Sequence, residues 1–193
     1  MRLQVLDKGH GFGTKVLFAL IRTASRQPVL DVVKLVRYRS DFYGGPMSEI
    51  TQEAMRGPSS WSVGDRELMA ACVAKANHCE FCTKAHAAVA TRAYGDNKKV
   101  SQALSNPDTA GVGEPLRTTL ILLRTLTRNQ IVNAGDIREV LNAGATPQQV
   151  KDALAIYYSF EIISRLADAF GFSVPSHEAF EAGAKYLLAR GYR

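Results

Sequence analysis

The stretch that decides the fold is SVGDRELMAACVAKANHCEFCTKAHAAVATRAYG, residues 62–95. Ser62 reads as a helix N-cap, with Asp65 three residues on as its capping-box partner, and opens a helix expected from about 63 to 76. Asn77 and His78 make a short break. A second helix then runs from Cys79 to Tyr94, and Gly95 can terminate it in the left-handed conformation that glycine adopts most easily.

Working outward, the same signals recur. Residues 96–114 read as a short helix followed by a loop holding Pro107, Gly111 and Gly113. Pro115 sits near the start of a helix through Leu116, Leu120, Leu123 and Leu126. A shorter helix spans about Asp136 to Asn142 and ends at Gly144. Thr146 and Pro147 form an N-cap followed by a proline at the first helical position, opening a long helix through Val150, Leu154, Tyr157, Ile162 and Leu166 that Gly171 closes. A last helix is expected from about Ser176 to Ala189. Strand-like alternation is absent and the β-branched residues fall in stripes of period 3.6, so the fold class is all-α. No linker and no strict repeat divide the chain.

The first forty residues stand apart in charge. They hold eight basic side chains against Asp7 and Asp31, which is the whole excess of a chain of net charge +6. Val16, Leu17, Leu20, Ile21 and Ala24 fall on one side of a helix with Lys15, Arg22 and Arg26 away from its centre, and Pro28 can open a second helix carrying Val29, Val32, Val33 and Val36 inward. A solvated basic helix face accounts for this pattern. Aromatic interleaving, zinc spacing and nucleic-acid motifs are missing, so no nucleic-acid partner is expected. Gly9-His10-Gly11-Phe12-Gly13-Thr14-Lys15 lacks the spacing of a phosphate loop and reads as a flexible entry loop, while His10 and His177 are isolated. With 193 residues, 46% of them hydrophobic, the chain can bury a core without disulfide staples. Three cysteines do not make a secreted disulfide framework. No apolar run approaches the roughly 20 residues that span a bilayer. A cytoplasmic, reduced protein with no membrane partner is expected.

Chemistry concentrates in Glu67 and the segment Asn77-His78-Cys79-Glu80-Phe81-Cys82-Thr83-Lys84-Ala85-His86. Cys79 and Cys82 are i,i+3 neighbours and Cys82 and His86 are i,i+4 neighbours, so the three share one helical stripe. Thiols at that spacing can close a disulfide with little backbone movement. The helix N-terminus favours a thiolate at Cys79, whereas His86, one turn beyond Cys82, is placed to take the proton of Cys82. Glu67 lies about 15 Å before the turn along one helix and His86 about 10 Å beyond it on the next. An antiparallel hairpin therefore brings carboxylate and imidazole level, and such a carboxylate would orient the ring and raise its basicity. Zinc is the chemical rival: Cys79, Cys82 and His86 supply three ligands, with His78 or Glu67 as a fourth, but the second ligand pair usual in structural zinc sites does not follow. Cys72, in Ala70-Ala71-Cys72-Val73-Ala74, reads as inert core.

Glu67-Leu68, the eleven-residue spacing to Cys79-x-x-Cys82, and His86 resemble the signature of the alkylhydroperoxidase D-like family of the carboxymuconolactone decarboxylase superfamily, in its peroxidase-related branch. The resemblance extends over about residues 60–175. It includes the stretch from Glu114 through Leu122-Leu123-Arg124-Thr125-Leu126-Thr127-Arg128 and Ser164-Arg165-Leu166-Ala167-Asp168-Ala169-Phe170-Gly171. Two positions differ from the family's pattern: Phe81 stands where the best-studied type has a histidine before the second cysteine, and Ser164-Arg165 stands for a late Asn-Arg pair, with Arg165 spaced to pair with Glu161.

What the resemblance implies is an AhpD-like helical bundle around a CxxC-bearing hairpin, residues 61–193, with residues 1–60 as a basic helical segment packed on it. It implies thiol-dependent reduction of alkyl hydroperoxides without metal, haem, flavin or other cofactor. Cys82 would be the peroxidatic cysteine and Cys79 the resolving one, joined in a redox-active disulfide, with Glu67 and His86 as a proton relay. A hydroperoxide, a thiol reductant or dithiol protein, and further copies of the chain in a trimer or hexamer are the implied partners. A dithiol-disulfide oxidoreductase or redox sensor is the alternative within the class, and a non-enzymatic helical binding module, with or without zinc, the alternative outside it.

Overall fold

The computed structural model describes every residue from 1 to 193, the side chain of Phe42 excepted. Its elements, in chain order, are α1 (Val5–Lys8), α2 (Phe12–Ser25), α3 (Asp31–Tyr38), a π turn (Ser40–Gly44), α4 (Gly45–Arg56), α5 (Val63–Ala76), α6 (Glu80–Tyr94), α7 (Asn97–Ser105), a 3-10 turn (Pro107–Thr109), α8 (Glu114–Asn129), α9 (Ala134–Asn142), α10 (Pro147–Phe170) and α11 (His177–Arg190). Among the described residues no strand forms. The fold is all-α, as the periodicity implies.

The bundle is built around α5. From Arg66 to Ala74 every residue of this helix is buried, so it has no solvated face. A helix buried all round can exist only as a central element, and its run of Ala70, Ala71 and Ala74 lets neighbours approach closely. α6 lies along it, α8 and α10 pack on other sides, α4 and α7 also touch it, and α11 covers the outer side of α6. Leu68, Met69 and Val73 of α5 join Leu120 and Leu123 of α8, Ile156 and Phe160 of α10, Met55 and Trp61 in the main core. The Trp61 indole N–H donates to the Gln149 carbonyl at 2.9 Å and fixes the chain before α5 against the start of α10.

Local signals place the helix ends. The Ser62/Asp65 capping box starts α5 and the Thr146/Gln149 box starts α10. Gly95 and Gly171 close α6 and α10 with positive φ. α9 begins two residues earlier than its expected start because Asn133 forms a capping box with Asp136, which makes Asp136 the third helical residue.

The N-terminal expectations need correction. Pro28 does not open the second helix: α3 starts at Asp31 and buries Asp31 and Leu35, leaving Val32, Val33 and Val36 half-buried. Asp31 is the reason. Its carboxylate accepts the Ser173 N–H at 2.8 Å and hydroxyl at 2.7 Å, and Lys34 at 3.0 Å, tying α3 to the loop after α10. Burial works to raise the Asp31 pKa, but the Ser173 hydrogen bonds and Lys34 outweigh it and hold the carboxyl below its ordinary value. Only Phe18 of α2 is buried, while Phe12, Val16 and Leu20 of its apolar stripe are exposed. Phe12 to Lys15 form the first turn of this helix, so the expected entry loop shrinks to Gly9-His10-Gly11. His10 is packed: its Nε2 is 3.0 Å from the Leu6 carbonyl and its ring meets Phe18 edge-on.

One close approach fixes the base of the α5–α6 pair. Gly64 faces the Tyr94 ring, and a Cβ there would sit 2.8 Å from it. Tyr94 donates its hydroxyl to Asp65 and carries the Lys99 ammonium 3.7 Å from its ring centroid, so it is held from both sides. Gly64→Ala is expected to lower stability by about 1–2 kcal/mol, the usual cost of overpacking, as read by urea unfolding. A variant as stable as the parent would show that Tyr94 swings away freely.

Candidate active site

The turn between α5 and α6 is a Schellman motif. The Cys79 N–H donates to the Ala74 carbonyl at 2.9 Å and the His78 N–H to the Lys75 carbonyl at 3.0 Å. His78 therefore occupies the left-handed position, with φ +62°, in the place glycine prefers. The motif also packs Cys79 against Ala74, both in the apolar cluster that includes Phe81, Cys82, Val89, Ala167, Phe180 and Ala184. Cys79 is thus the last residue of one cap and the N-cap of the next helix, with Cys82 one turn on.

Both thiols are enclosed, Cys79 at 0% and Cys82 at 1% exposure. Phe81 closes one side, meeting Phe172 at 5.4 Å edge-on and Phe180 at 5.8 Å between ring centroids. A hydrogen bond with Cys79 pushes the Cys82 thiol well above its ordinary pKa; burial, the Cys79 charge and Asp168 push the same way, and the Ser164 hydroxyl opposes them. The half-buried Tyr43 faces the site from the π turn. Burial and the charge a Cys82 thiolate would carry push its phenol up to about 12.

Glu67 and His86 are brought together as the hairpin geometry predicts. Glu67 is 0% exposed, and His86 Nδ1 lies 2.8 Å from its Oε2. Two further partners converge on the same carboxylate. Arg56 at the end of α4 donates to Oε1 at 2.7 Å, and the Tyr192 hydroxyl lies 2.8 Å from Oε1 and 3.1 Å from Oε2. Burial works to raise the Glu67 pKa, but the hydrogen bond and charge of His86, followed by those of Arg56, hold it below its ordinary value. An ionised carboxylate can only accept, so His86 Nδ1 carries the hydrogen and Nε2 is left as the basic position of the neutral ring. The Tyr192 ring stacks on His86 at 6.3 Å with an 18° interplanar angle, and Arg56 lies 5.1 Å from the Tyr192 centroid. On its other flank, His86 meets Phe160 edge-on at 4.4 Å.

The sequence motif did not reveal Arg56, Tyr192, Tyr43 or Ser164. Arg56 and Tyr192 lie far from the motif in the chain and have no periodic relation to it. Arg56 comes from the segment expected as an N-terminal appendage. The only local cue at Tyr192 was Gly191, whose φ of +72° turns the chain back so that the Tyr192 N–H reaches Gln52 at 2.7 Å. Among the described residues no group of three or more His, Cys, Asp or Glu side chains is disposed to hold a metal ion. Cys72 is core: its thiol donates to the Leu120 carbonyl at 3.6 Å, and burial pushes it up to about 12. Arg165 pairs with Glu161 at 2.7 Å.

The sequence pattern of the Carboxymuconolactone decarboxylase family matches residues 46–125, a span that takes in Arg56, Glu67, both cysteines and His86. Over that span, about two fifths of its length, the chain is similar in sequence to this family. Its fold is similar to that of an uncharacterized peroxidase-related protein from Silicibacter sp. TM1040, with 20% identity, 93% of each chain covered and a TM-score of 0.77. It is also similar to an uncharacterized peroxidase-related protein from Ralstonia eutropha JMP134, described as an alkylhydroperoxidase AhpD core, with 21% identity, 95% of this chain and 96% of that one covered, and a TM-score of 0.76. No curated protein matches the chain. No helix among the described residues is long and apolar enough to cross a membrane.

The charge on Glu67 has a consequence for stability. Its folded pKa lies below the ordinary 4.5, so its contribution is complete above that value and is lost as pH falls through the lower, folded one. Glu67→Gln leaves the Arg56 guanidinium, 12% exposed, without its anion. It is expected to cost about 3 kcal/mol at neutral pH. The gap to the parent should narrow below pH 4.5, and denaturant unfolding at neutral and acid pH would measure both. A gap independent of pH would mean that the carboxyl is already protonated in the native state.

Proposed function

We propose that the chain is a cofactor-free thiol peroxidase that reduces alkyl hydroperoxides. One observation carries this: an ionised, fully buried Glu67 orients His86 one helical turn from Cys82, which is itself enclosed beside Cys79. The peroxidase-related proteins of the same fold support it.

In the proposed cycle the Cys82 proton passes to His86 Nε2. The thiolate attacks one oxygen of the hydroperoxide, the O–O bond breaks, Cys82 becomes a sulfenic acid, and the alkoxide takes a proton from Cys79 and leaves as alcohol. The Cys79 thiolate then attacks the Cys82 sulfur, forming the disulfide and expelling hydroxide, which the imidazolium protonates to water. A dithiol supplied by a small molecule or protein returns the pair to its reduced form. The cycle starts from reduced thiols, which suits the cytoplasm. The apolar surroundings of the cysteines, with Phe81, Phe172 and Phe180, favour an organic hydroperoxide over a small polar oxidant. The exposed Phe12, Val16 and Leu20 on α2 suit a chain that assembles with copies of itself, as a trimer or hexamer.

A single-turnover titration of reduced protein with an organic hydroperoxide tests this. Two thiols should be lost per peroxide, both mapping by mass spectrometry to Cys79 and Cys82. A Cys79→Ser variant should accumulate a sulfenic acid at Cys82 that a dimedone-type trap captures. Trapping at Cys79 in Cys82→Ser alone would reverse the roles. Oxidation no faster than that of a free thiol, together with ready reaction with a disulfide substrate, would make the protein a disulfide exchanger instead.

A further inference from the structure

Two serines on α10 are buried to 0% and use their hydroxyls differently. Ser159 does what a serine inside a helix ordinarily does, donating to the carbonyl one turn back, that of Ala155 at 3.1 Å. The Ser164 Oγ is buried with no hydrogen-bond partner. Its neighbours Ile163 and Ala167 pack in the apolar cluster around Cys79 and Cys82, where α10 meets α6. On the helix Ser164 lies beside both Ile163 and Ala167, and its hydroxyl works to favour the ionised form of Cys82.

A buried hydroxyl with nothing to bond is a standing cost in the resting protein. A neutral thiol is a poor acceptor and relieves little of it, whereas a thiolate or sulfenate is a strong one. The missing partner of Ser164 is therefore an acceptor present only when Cys82 carries charge. We propose that Ser164 is the hydrogen-bond donor that holds negative charge on the Cys82 sulfur, a role that rests on the thiol chemistry proposed above and names a catalytic residue outside its cysteine, histidine and carboxylate set.

When Cys82 ionises, its proton leaves for His86 and Ser164 keeps its own, shortening its contact to the sulfur. The other groups facing Cys82 do not offer this help. Cys79 and Asp168 raise the cost of its charge, the Tyr43 phenol is pushed up by that charge, and the α11 residues of the cluster, Phe180 and Ala184, are apolar.

The test is the pH dependence of Cys82 alkylation by iodoacetamide, mapped by mass spectrometry, in the full chain with Cys79→Ser as background. Ser164→Ala should raise the alkylation midpoint by about one pH unit, slowing alkylation roughly tenfold below the midpoint. The plateau at high pH should stay unchanged. The thermal midpoint should hold or rise, because the hydroxyl removed had no partner. Ser159→Ala should leave the alkylation midpoint where it was. An unmoved midpoint in Ser164→Ala, an equal shift in Ser159→Ala, or loss of the helical circular dichroism signal in Ser164→Ala would each overturn the assignment. Alkylation needs no peroxide, so a protein that fails to reduce hydroperoxides yet shows the Ser164 shift would overturn the peroxidase function and leave this donor standing.

Discussion

A carboxylate with no exposed surface, on a helix with no solvated face, is a strong constraint on a fold. Glu67 meets it by drawing partners from three separate parts of the chain: Arg56 from the end of α4, His86 from α6 and Tyr192 from beyond α11. Removing any of these leaves charge or polarity uncompensated in the interior, which costs more than a surface pair could return. The Glu67–His86 contact sets the register of α6 on α5. Arg56 ties the N-terminal helices to the same point, helped by its bond to the Leu187 carbonyl of α11 at 3.2 Å. Tyr192 brings the residues after α11 back over the site.

The cysteines sit under the opposite regime. Their turn is fixed by backbone hydrogen bonds and by the Asn77 amide donating to Glu161 at 2.8 Å, in a cap that accepts His78 in a left-handed conformation rather than glycine. What surrounds them is largely apolar, and burial, Cys79 and Asp168 all oppose a thiolate at Cys82, with the Ser164 hydroxyl acting the other way. The helix dipole acts at Cys79, the N-cap, while the imidazole lies one turn from Cys82. Dipole and base thus act on different sulfurs, which is the division of labour expected where one thiol attacks and the other supplies a proton and then resolves.

How much of this was legible follows from the range of each interaction. Ser62 with Asp65, Thr146 with Gln149, Gly95 and Gly171 act within a few residues, so the ends of α5, α6 and α10 could be read directly from the chain. The Asn133/Asp136 box carries the same kind of local signal, but an acidic residue in the first turn suits the first helical position as well as the third, so spacing alone does not fix the start of α9. The N-terminal stripe misled for a different reason. Val16 and Leu20 have the spacing of a buried face, but periodicity says only which residues share a side, not whether this chain covers it. Glu67 and His86 could be paired because the hairpin fixes how far each lies from its turn. Arg56 and Tyr192 reach the same carboxylate through tertiary packing, which leaves no trace in spacing. Ser164 was visible only as a departure from a family pattern.

The saturation of Glu67 bears on what it does in the proposed cycle. A carboxylate that already accepts from a guanidinium, a phenol and an imidazole, and whose pKa is held down by His86 and Arg56, has little tendency to take a proton. The Tyr192 phenol is pushed well above its ordinary value, by burial first and the Glu67 charge next, so it remains a donor. Proton movement then ends at His86. Glu67 fixes the tautomer that presents Nε2 and stabilises the imidazolium once formed, while Arg56 and Tyr192 keep the carboxylate ionised for that purpose. His86 is the one group shared between a donor-rich end, built around a permanent anion, and a donor-poor end, where an anion exists only during reaction. At the first end the charge is compensated in advance; at the second it must be supported when it appears, and the unpartnered hydroxyl of Ser164 is the protein group placed to do so.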